Sequence, residues 1–525
     1  MRAGFLRLAR AVPPAAWAAA LAAGAYAQTL GYGLVWDDPN LLALVEERVR
    51  SGGLAALLSA PFSLDSAERL GYYRPVVLAS LWLDSLVRGA APWSFHATNV
   101  ALHAANTALV CLLLGELLPS RAAAGWGAAA FALHPAHTES VAFVSGRTDL
   151  WAALFVLAAA LLWVRARAAP RAPRLAACVA GGAALACAGL SKEVAFAFPA
   201  VFAAWEISLP SPLPAASRAR RALPWAVAFA AALGAVVAVR ASITGVETGR
   251  FALVSLGDGI ARWAAYFRLL LAPWPLNAYY TEAQLSLSPV NVSAALGLLA
   301  ICAFTAGRAW GRAGLLGLAW LVAFLLPGGA LARPGSEIAL AERFLYLPSV
   351  GFCLAAGAAV HRLGLRAPRT AAALGAAAVT ALAVGTLARN PVWRDDLSLF
   401  RDTAAKTEAY LVRNNLGLAY DARGMMPEAL AQYRRALQLN PAAVKTYSNM
   451  GVALGRAGRL AEAAELLEAA VRIAPHFAEG HNNLGVALDG LGRRSEAIAH
   501  YREALRLKPE YQDAAHNLRA ALGRR

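Results

Sequence analysis

The strongest constraint in this sequence is a series of apolar runs that recurs from the N-terminus to about residue 388. A helix needs roughly 20 apolar residues to cross about 30 Å of hydrocarbon. Only helices or closed barrels satisfy their backbone polar groups in lipid. The runs therefore predict an all-α, polytopic transmembrane bundle of about eleven spans, several of them short enough to need flanking residues or tilt. The predicted spans are 11–31, 96–118, 122–141, 149–164, 175–190, 194–209, 222–240, 292–307, 313–327, 345–361 and 370–388.

The charged residues predict an orientation for this bundle. Only 15% of the residues are charged, and the formal net charge of +17 comes mostly from short arginine clusters between the runs. With a cytoplasmic N-terminus, six connections face the cytoplasm, and they hold sixteen arginines and no acid. Cytoplasmic loops are rich in Lys and Arg, so an odd number of spans places the C-terminal domain outside. The clusters indicate an anionic leaflet as partner, and no nucleic acid. The six connections are 1–10, 119–121, 165–174, 210–221, 308–312 and 362–369.

A repeat with a period of 34 residues begins after residue 409. Glycine, alanine and proline recur at this spacing, as at Gly417, Gly451 and Gly485. Small residues at fixed positions and a period of 34 are typical of tetratricopeptide (TPR) repeats, which stack helix pairs into a solenoid. We predict a membrane domain at 1–390, a linker at 391–408, and a TPR α-solenoid of three repeats plus a capping helix at 409–525.

Paired acids follow the first predicted span, at Asp37 and Asp38. A carboxylate at the membrane surface can take a proton from an acceptor hydroxyl, or hold a divalent cation against a phosphate. The alternative is a solvated pair that caps the next helix.

A second polar group interrupts the apolar sequence at His134, His137 and Glu139, and Arg147 follows it. Imidazole, carboxylate and guanidinium groups together suit a phosphorylated lipid head group or acid–base chemistry. The two histidines could also ligate a metal, but their spacing identifies no third ligand, so the metal remains unknown. The alternative is a hydrogen-bonded loop network.

Two further charged pairs lie at predicted outer span edges. Lys192 and Glu193 form the first, and Glu342 and Arg343 form the second. A lysine offers a point charge to a phosphate, and an arginine can clamp it with two hydrogen bonds. Long cationic side chains at span ends also extend toward the interface for solvation alone, which is the alternative for both pairs.

Asparagines recur with the repeat, one in the first helix of each unit. Their amides carry donors and an acceptor and can pair with a peptide backbone of any sequence. They predict a surface that grips an extended acceptor peptide, unless they only bond to neighbouring turns. The four positions are Asn415, Asn449, Asn483 and Asn517.

Eight short segments, taken together and in their order along the chain, resemble segments of the transmembrane and tetratricopeptide-repeat (TMTC-type) O-mannosyltransferases and their bacterial relatives. Any one segment is weak, but the ordered set covers most of the membrane region and the repeats follow it directly. The segments are VWDDPN at 35–40, YRP at 73–75, FHATNV at 95–100, LH at 102–103, LHPAHTE at 133–139, SGRTDL at 145–150, SKE at 191–193 and ERFLYLPS at 342–349.

The resemblance implies a membrane glycosyltransferase of the GT-C class. Such an enzyme transfers a sugar, here mannose, from a polyprenyl-phosphate carrier to Ser or Thr hydroxyls of proteins on the outer face. An acid of the first outer loop, Asp37 or Asp38, is then the catalytic group. Arg147, Lys192 and Arg343 neutralise the carrier phosphate. The repeats present the protein acceptor.

The composition and the repeat number refine this expectation. The Ala- and Arg-rich chain looks bacterial, which implies an inner-membrane enzyme that uses undecaprenyl phosphate and has its repeats in the periplasm. No cofactor is certain beyond a possible divalent cation. The solenoid is shorter than is usual in eukaryotic members. A non-catalytic membrane-anchored scaffold, or an enzyme of the O-antigen-ligase type, remains an alternative; the first does not explain so many spans, and the second lacks the early acid pair.

Overall fold

The computed structural model describes most of the chain as α-helix. The predicted connections at 1–10 and 308–312 fall outside the described residues. The described residues are 13–59, 72–167, 169–244, 252–253, 255–285, 288–305, 313–332 and 340–523.

Two compact units make up the chain, at residues 1–395 and 396–525. The helices of the first unit come in fifteen described segments, and one short antiparallel pair joins β1 (Ala252–Leu253) to β2 (Leu331–Ala332). The helices are α1 (Pro14–Tyr26), α2 (Asp38–Leu58), α3 (Pro75–Arg88), α4 (Pro92–Leu117), α5 (Arg121–Ala132), α6 (Thr138–Ala142), α7 (Arg147–Ala166), α8 (Arg171–Gly189), α9 (Phe198–Ser208), α10 (Ala215–Thr244), α11 (Leu256–Leu271), α12 (Pro289–Thr305), α13 (Ala313–Ala330), α14 (Ser349–Gly364) and α15 (Pro368–Arg389).

A helix occupies each of the eleven predicted apolar runs. Among the described residues, five helical stretches are long and apolar enough to cross a membrane, and two shorter apolar helices lie at Pro289–Ile301 and Ala313–Leu326. The run at 122–141 differs most from its prediction, because α5 ends at Ala132 and is followed by a 3-10 turn (Pro135–His137) and the short helix α6. Its polar second half is therefore buried in the bundle instead of continuing a span. The five stretches are Pro92–Leu117, Val144–Ala166, Arg171–Gly189, Ala215–Thr244 and Pro368–Trp393.

Small residues allow close helix crossings in this unit. A Cβ atom added at Gly351 of α14 would lie 2.2 Å from the carbonyl oxygen of Gly317 in α13. Only a residue without a side chain permits such a backbone approach, as is common between membrane helices. Aromatic rings fill the wider spaces, and the indoles of Trp205 and Trp320 pack with their centroids 5.2 Å apart. The core therefore combines close crossings with large aromatic side chains.

The second unit is a stack of antiparallel helices. Three helix pairs and a final helix match the predicted repeats and cap. The predicted linker at 391–408 differs, because residues Asn390–Trp393 form a 3-10 turn and residues 396–404 form a helix of the second unit. The helices are α16 (Asp396–Ala404), α17 (Tyr410–Asp421), α18 (Met426–Leu439), α19 (Val444–Arg456), α20 (Leu460–Ile473), α21 (Ala478–Gly490), α22 (Arg494–Leu507) and α23 (Gln512–Gly523).

Glycines set both the packing and the turns of each repeat. A Cβ atom at Gly485 would lie 2.6 Å from the ring of Tyr501, so the first helix packs closely on the second only without a side chain. The turn between the two helices contains a glycine with φ of 72° to 78°, a left-handed conformation that glycine adopts without strain. These turn glycines, Gly424, Gly458 and Gly492, recur with the repeat period.

Candidate active site

The loop after α1 presents its two acids differently. Asp38 is fully buried at the start of α2. Its Oδ1 accepts hydrogen bonds from the Ser145 amide and hydroxyl, both at 2.7 Å, and its Oδ2 accepts from the amides of Val35 (3.3 Å) and Val144 (3.2 Å). Burial raises the pKa of Asp38 to about 7, although the hydrogen bonds from Ser145 lower it. Asp38 thus ties the first loop to the turn that precedes α7.

Asp37 is the more accessible acid of the pair, with a partly exposed side chain. The preceding residue, Trp36, has a φ of 55° and stacks on Phe143 with ring centroids 6.0 Å apart. A left-handed conformation is rare and strained for a bulky residue, and strain of this kind is concentrated at functional sites. The geometry favours Asp37 over Asp38 as a group that can meet a substrate.

Arg343 lies within electrostatic range of Asp37. It belongs to the 3-10 turn Glu342–Leu345, and its amide donates to the fully buried Glu139 at 2.9 Å while its guanidinium forms an ion pair with the same carboxylate. Burial lowers the pKa of Arg343, but Glu139, Asp149 and Asp37 together raise it. The Arg343 side chain keeps 27% of its surface exposed, so this cation remains accessible.

Lys192 pairs with Asp149 at 2.6 Å. Its ammonium also lies 4.9 Å from the ring centroid of Phe344, the residue after Arg343. Burial lowers the pKa of Lys192, and the nearby Arg343 and Arg74 lower it further, whereas Asp149 raises it. Lys192 and Arg343 are therefore neighbouring cations, each held by a buried carboxylate.

Two arginines that the sequence analysis did not assign to the site extend this group. Arg74 forms an ion pair with Glu193 at 2.9 Å, and Arg240 at the end of α10 binds the same carboxylate. Burial raises the pKa of Glu193, but the two guanidinium groups outweigh it and lower the pKa to about 2. Arg240 lies at the outer end of the predicted span 222–240, and Arg74 belongs to the YRP segment at 73–75; these were the signals that could have identified them. We call Arg74, Lys192, Arg240 and Arg343 the cation group.

Three carboxylates, Glu139, Asp149 and Glu193, pair with the four cations of the cation group, so net charge alone does not make it an anion site. A lysine ammonium has three donors and a guanidinium has five. Each cation can therefore bind a phosphate oxygen while it keeps its carboxylate partner. The carboxylates fix the cations in position, which lowers the cost of ordering them around a ligand.

Four other predicted site residues are buried in structural networks. His134 contacts the Leu270 carbonyl at 3.0 Å, and His137 contacts Ser349 Oγ and the Phe131 carbonyl, each at 2.9 Å. Arg147 forms a fully buried ion pair with Asp84 at 2.6 Å. Glu342 accepts from the Tyr280 hydroxyl at 2.9 Å, and burial raises its pKa to about 7. These contacts favour a hydrogen-bonded loop network, the alternative stated for His134 and His137. Arg147 is fully buried and is not exposed to a carrier lipid.

Metal ligation has no support in the part of the chain that the structure describes. There, no group of three or more His, Cys, Asp or Glu side chains is arranged to hold a metal ion.

In the solenoid, three of the four repeated asparagines bond between repeats. The amide of Asn449 donates to Asn414 Oδ1 at 3.0 Å, that of Asn483 to Ser448 Oγ at 3.1 Å, and that of Asn517 to Asn482 Oδ1 at 3.0 Å. Asn415 accepts from its neighbour Asn414 at 3.1 Å. All four are half-buried. Three of the amides thus serve the stacking of repeats with part of their hydrogen-bonding capacity, whereas the bond to Asn415 lies within its own helix.

The fold and the site define a polytopic membrane bundle with a cation group at one end, joined to a TPR solenoid. Residues 68–240 match the family model described as dolichyl-phosphate-mannose-protein mannosyltransferase. Residues 417–458 and 443–510 match two tetratricopeptide-repeat models. The chain is an integral membrane protein with TPR repeats.

Curated relatives confirm the predicted resemblance to the TMTC-type O-mannosyltransferases. Protein O-mannosyl-transferase Tmtc1 of Drosophila melanogaster is 39% identical over 150 residues, which is 28% of this chain and 17% of that protein. A protein O-mannosyl-transferase of Caenorhabditis elegans is 26% identical over 451 residues, 79% of this chain and 61% of that protein. The aligned part is thus less than two thirds of the length of either relative.

The chain is also similar to solved TPR domains. The TPR domain of Arabidopsis OM64 is 26% identical, covers 22% of this chain and 95% of that domain, and has a TM-score of 0.21.

Proposed function

We propose that this chain is a membrane glycosyltransferase that moves a sugar, mannose, from a polyprenyl-phosphate carrier to Ser or Thr hydroxyls of proteins. The observation that carries the proposal is the position of Asp37. It is a partly exposed carboxylate within electrostatic range of Arg343, which is next to Lys192. Similarity to named protein O-mannosyl-transferases supports the same reaction class.

In the proposed reaction, Asp37 takes the proton of the acceptor hydroxyl. The hydroxyl oxygen attacks the anomeric carbon of the sugar, and the bond from that carbon to the carrier phosphate oxygen breaks with inversion. The carrier leaves as a polyprenyl phosphate, whose developing negative charge is stabilised by Lys192 and Arg343. Arg74 and Arg240 hold Glu193 beside them and so keep the cation group in place.

The proposal places this site on the outer face of the membrane, as the arginine distribution predicts. Protein acceptors then come from the same side as the solenoid. The half-buried asparagines, including Asn415, contribute the remaining amide donors and acceptors to an extended peptide. In a bacterial host the compartment is the periplasm and the carrier is undecaprenyl phosphate.

The test is a transfer assay with polyprenyl-phosphate-mannose and candidate acceptor peptides. Asp37→Asn should abolish transfer while the purified protein keeps its helix content and its elution volume. General acid–base groups contribute about 10² to 10⁴ in rate, so a loss of at least a hundredfold is expected. Asp258→Asn, an exposed acid of α11, is the matched control and should retain full activity.

Asp38→Asn separates the two acids. Because Asp38 accepts four hydrogen bonds inside the protein, its exchange should lower the yield of folded protein before it changes the chemistry. Full transfer activity in folded Asp37→Asn protein would exclude Asp37 as the base, and full activity in both variants would remove the acid pair from the mechanism.

A further inference from the structure

A second polar pocket lies at the opposite end of the helices that build the candidate active site. It has a volume of about 480 Å³ and lies between the ends of α4, α7, α8, α9 and α10. Four arginines and two glutamates line it. The charged lining residues are Arg167, Arg174, Arg218, Arg221, Glu116 and Glu206.

The same helices run from one site to the other. Helix α10 carries Arg221 in the pocket and Arg240 in the cation group, which are about 28 Å apart at the rise of an α-helix. Helix α7 carries Asp149 in its first turn and the pocket residue Trp163 close to its C-terminal end. These separations approach the thickness of the hydrocarbon core. The pocket therefore lies at the membrane end that the arginine distribution predicts to be cytoplasmic.

The charges in this pocket are only partly paired. Arg167 is 3.6 Å from Glu206, and the Glu116 carboxylate binds Arg165, which is outside the pocket lining. Arg218 also lies near Glu206. Among the described residues, neither Arg174 nor Arg221 forms an ion pair. This differs from the cation group, where each cation has a carboxylate partner.

The pocket walls combine these cations with apolar surface. The indoles of Trp163 and Trp225 are almost fully buried in its floor, and Pro210 and Pro212 of the connection after α9 form part of its wall. Basic pockets between membrane helices on the cytoplasmic side suit anionic lipid head groups. A guanidinium binds phosphate oxygens with two hydrogen bonds, while an apolar wall suits the glycerol and the start of the acyl chains.

We propose that this pocket binds the phosphate of an anionic phospholipid from the leaflet opposite to that of the active site. Arg174 and Arg221 bind the phosphate, and Arg167 and Arg218 remain associated with Glu206. Glu116 and Glu206 also line the pocket, so their carboxylates would repel a densely charged anion. The pocket therefore suits a head group of limited charge. The shared chemistry is a phosphate group, which a soluble phosphate compound could also supply.

The test compares Arg174→Gln/Arg221→Gln with the control Arg366→Gln/Arg369→Gln. The control removes the same charge from two exposed residues that do not line the pocket, Arg366 in the connection after α14 and Arg369 in the first turn of α15. Each full-length protein is reconstituted in phosphatidylcholine nanodiscs with a small share of phosphatidylglycerol, and the retained lipid is measured by native mass spectrometry. A hydrogen bond to a charged group contributes about tenfold or more to binding. The pocket variant should therefore bind phosphatidylglycerol at least roughly tenfold more weakly than the control variant, which loses only the general attraction of surface cations for an anionic leaflet.

Helix content and elution volume show that both variants fold, since neither Arg174 nor Arg221 is buried. Equal loss in both variants, or no loss in the pocket variant, would overturn the proposal. A second arm adds inorganic phosphate to protein in phosphatidylcholine alone. Thermal stabilisation that requires Arg174 and Arg221, without retention of phosphatidylglycerol, would identify a soluble phosphate compound as ligand and reject the lipid.

Discussion

The buried ion pairs of the membrane unit differ from the short-range ion pairs of the solenoid in distance along the chain and in burial. In the membrane unit, Arg147 pairs with Asp84 and Lys192 pairs with Asp149, and these side chains are 10% exposed or less. In the solenoid, Arg459–Glu462 and Arg493–Glu496 are three residues apart, and their side chains are 42% to 53% exposed. These ion pairs therefore connect distant parts of the chain inside the membrane unit, whereas those of the solenoid connect neighbouring residues on its surface.

The largest expected effect tests this difference directly. Arg147→Met removes the fully buried partner of Asp84, which keeps only an ion pair with the partly exposed Arg88 and a hydrogen bond from Thr98 among the described residues. Loss of one member of a buried pair costs about 3–5 kcal/mol. Arg493→Met in the solenoid should leave the unfolding temperature unchanged, because exposed pairs contribute little. Thermal unfolding of the purified full chain measures both. Equal effects would mean that burial does not distinguish the two regions.

The pH dependence of stability should also differ in sign. Burial raises the pKa of Asp38 to about 7, whereas unfolded aspartate has a pKa near 4. Between about pH 4 and 7 the folded protein holds a proton that the unfolded chain has released, so this contribution is present at low pH and is lost as the pH rises to 7. Its size is on the order of 4 kcal/mol.

The exposed pairs of the solenoid act in the opposite direction. The hydrogen bond from Arg493 lowers the pKa of Glu496, so that contribution is lost as the pH falls. The free energy of unfolding of the wild type and of Asp38→Asn, measured across this pH range, checks the sign. In the wild type it should fall as the pH rises, and this fall should be absent in the variant whatever its absolute stability. An unchanged slope would show that Asp38 is not its source.

Close packing provides the next comparison. Gly351→Ala brings a methyl group against the Gly317 carbonyl, a backbone atom that cannot move alone, and should cost about 2–3 kcal/mol. Gly485→Ala meets the Tyr501 side chain, which can shift, and an alanine gains about 1 kcal/mol of helix propensity over glycine. Its net cost should be about 1 kcal/mol or less. Thermal unfolding ranks the two, and the reverse order would contradict this account.

The smallest effect concerns the asparagines of the solenoid. Asn449→Ala removes the hydrogen bond to Asn414, which is worth about 0.5–1.5 kcal/mol. Hydrogen exchange of the full chain should show faster exchange in α17 and α19, while Gln512→Ala on an exposed surface changes neither. Unchanged exchange, combined with weaker binding of acceptor peptides, would assign the Asn449 amide to the peptide instead of the repeat.

Sequence periodicity predicted the solenoid more completely than the membrane unit. A repeat in a solenoid contacts mainly its neighbours. The spacing of Gly417, Gly451 and Gly485 was therefore enough to predict where the first helix of each repeat packs on the second. In the membrane unit, hydropathy located the helices but not their ends. The run at 122–141 stops at Ala132 because His134, His137 and Glu139 find hydrogen-bond partners far away in sequence, which no local pattern contains.

The same limit applies to the candidate site. Lys192, Glu193 and Arg343 were predicted from their positions at span edges, and they do come together. Arg74 and Arg240 were not assigned to the site, since only the fold brings them to Glu193. Arg147 was assigned to the carrier phosphate, but its partner Asp84 lies in a different helix and could not be inferred. Sequence thus identified polar residues at one membrane edge without distinguishing those that face inward.

The adjacent acids Asp37 and Asp38 show what this inward-facing role implies. Successive positions at the start of a helix point about 100° apart, so anchoring Asp38 in the interior also fixes the direction in which Asp37 is presented. The buried carboxylate of Asp38 therefore sets the orientation of the Asp37 carboxylate. A search for natural or designed variants with altered reaction geometry should therefore begin at Ser145 and Val144, which hold Asp38 in place. Asp37 itself should be left unchanged.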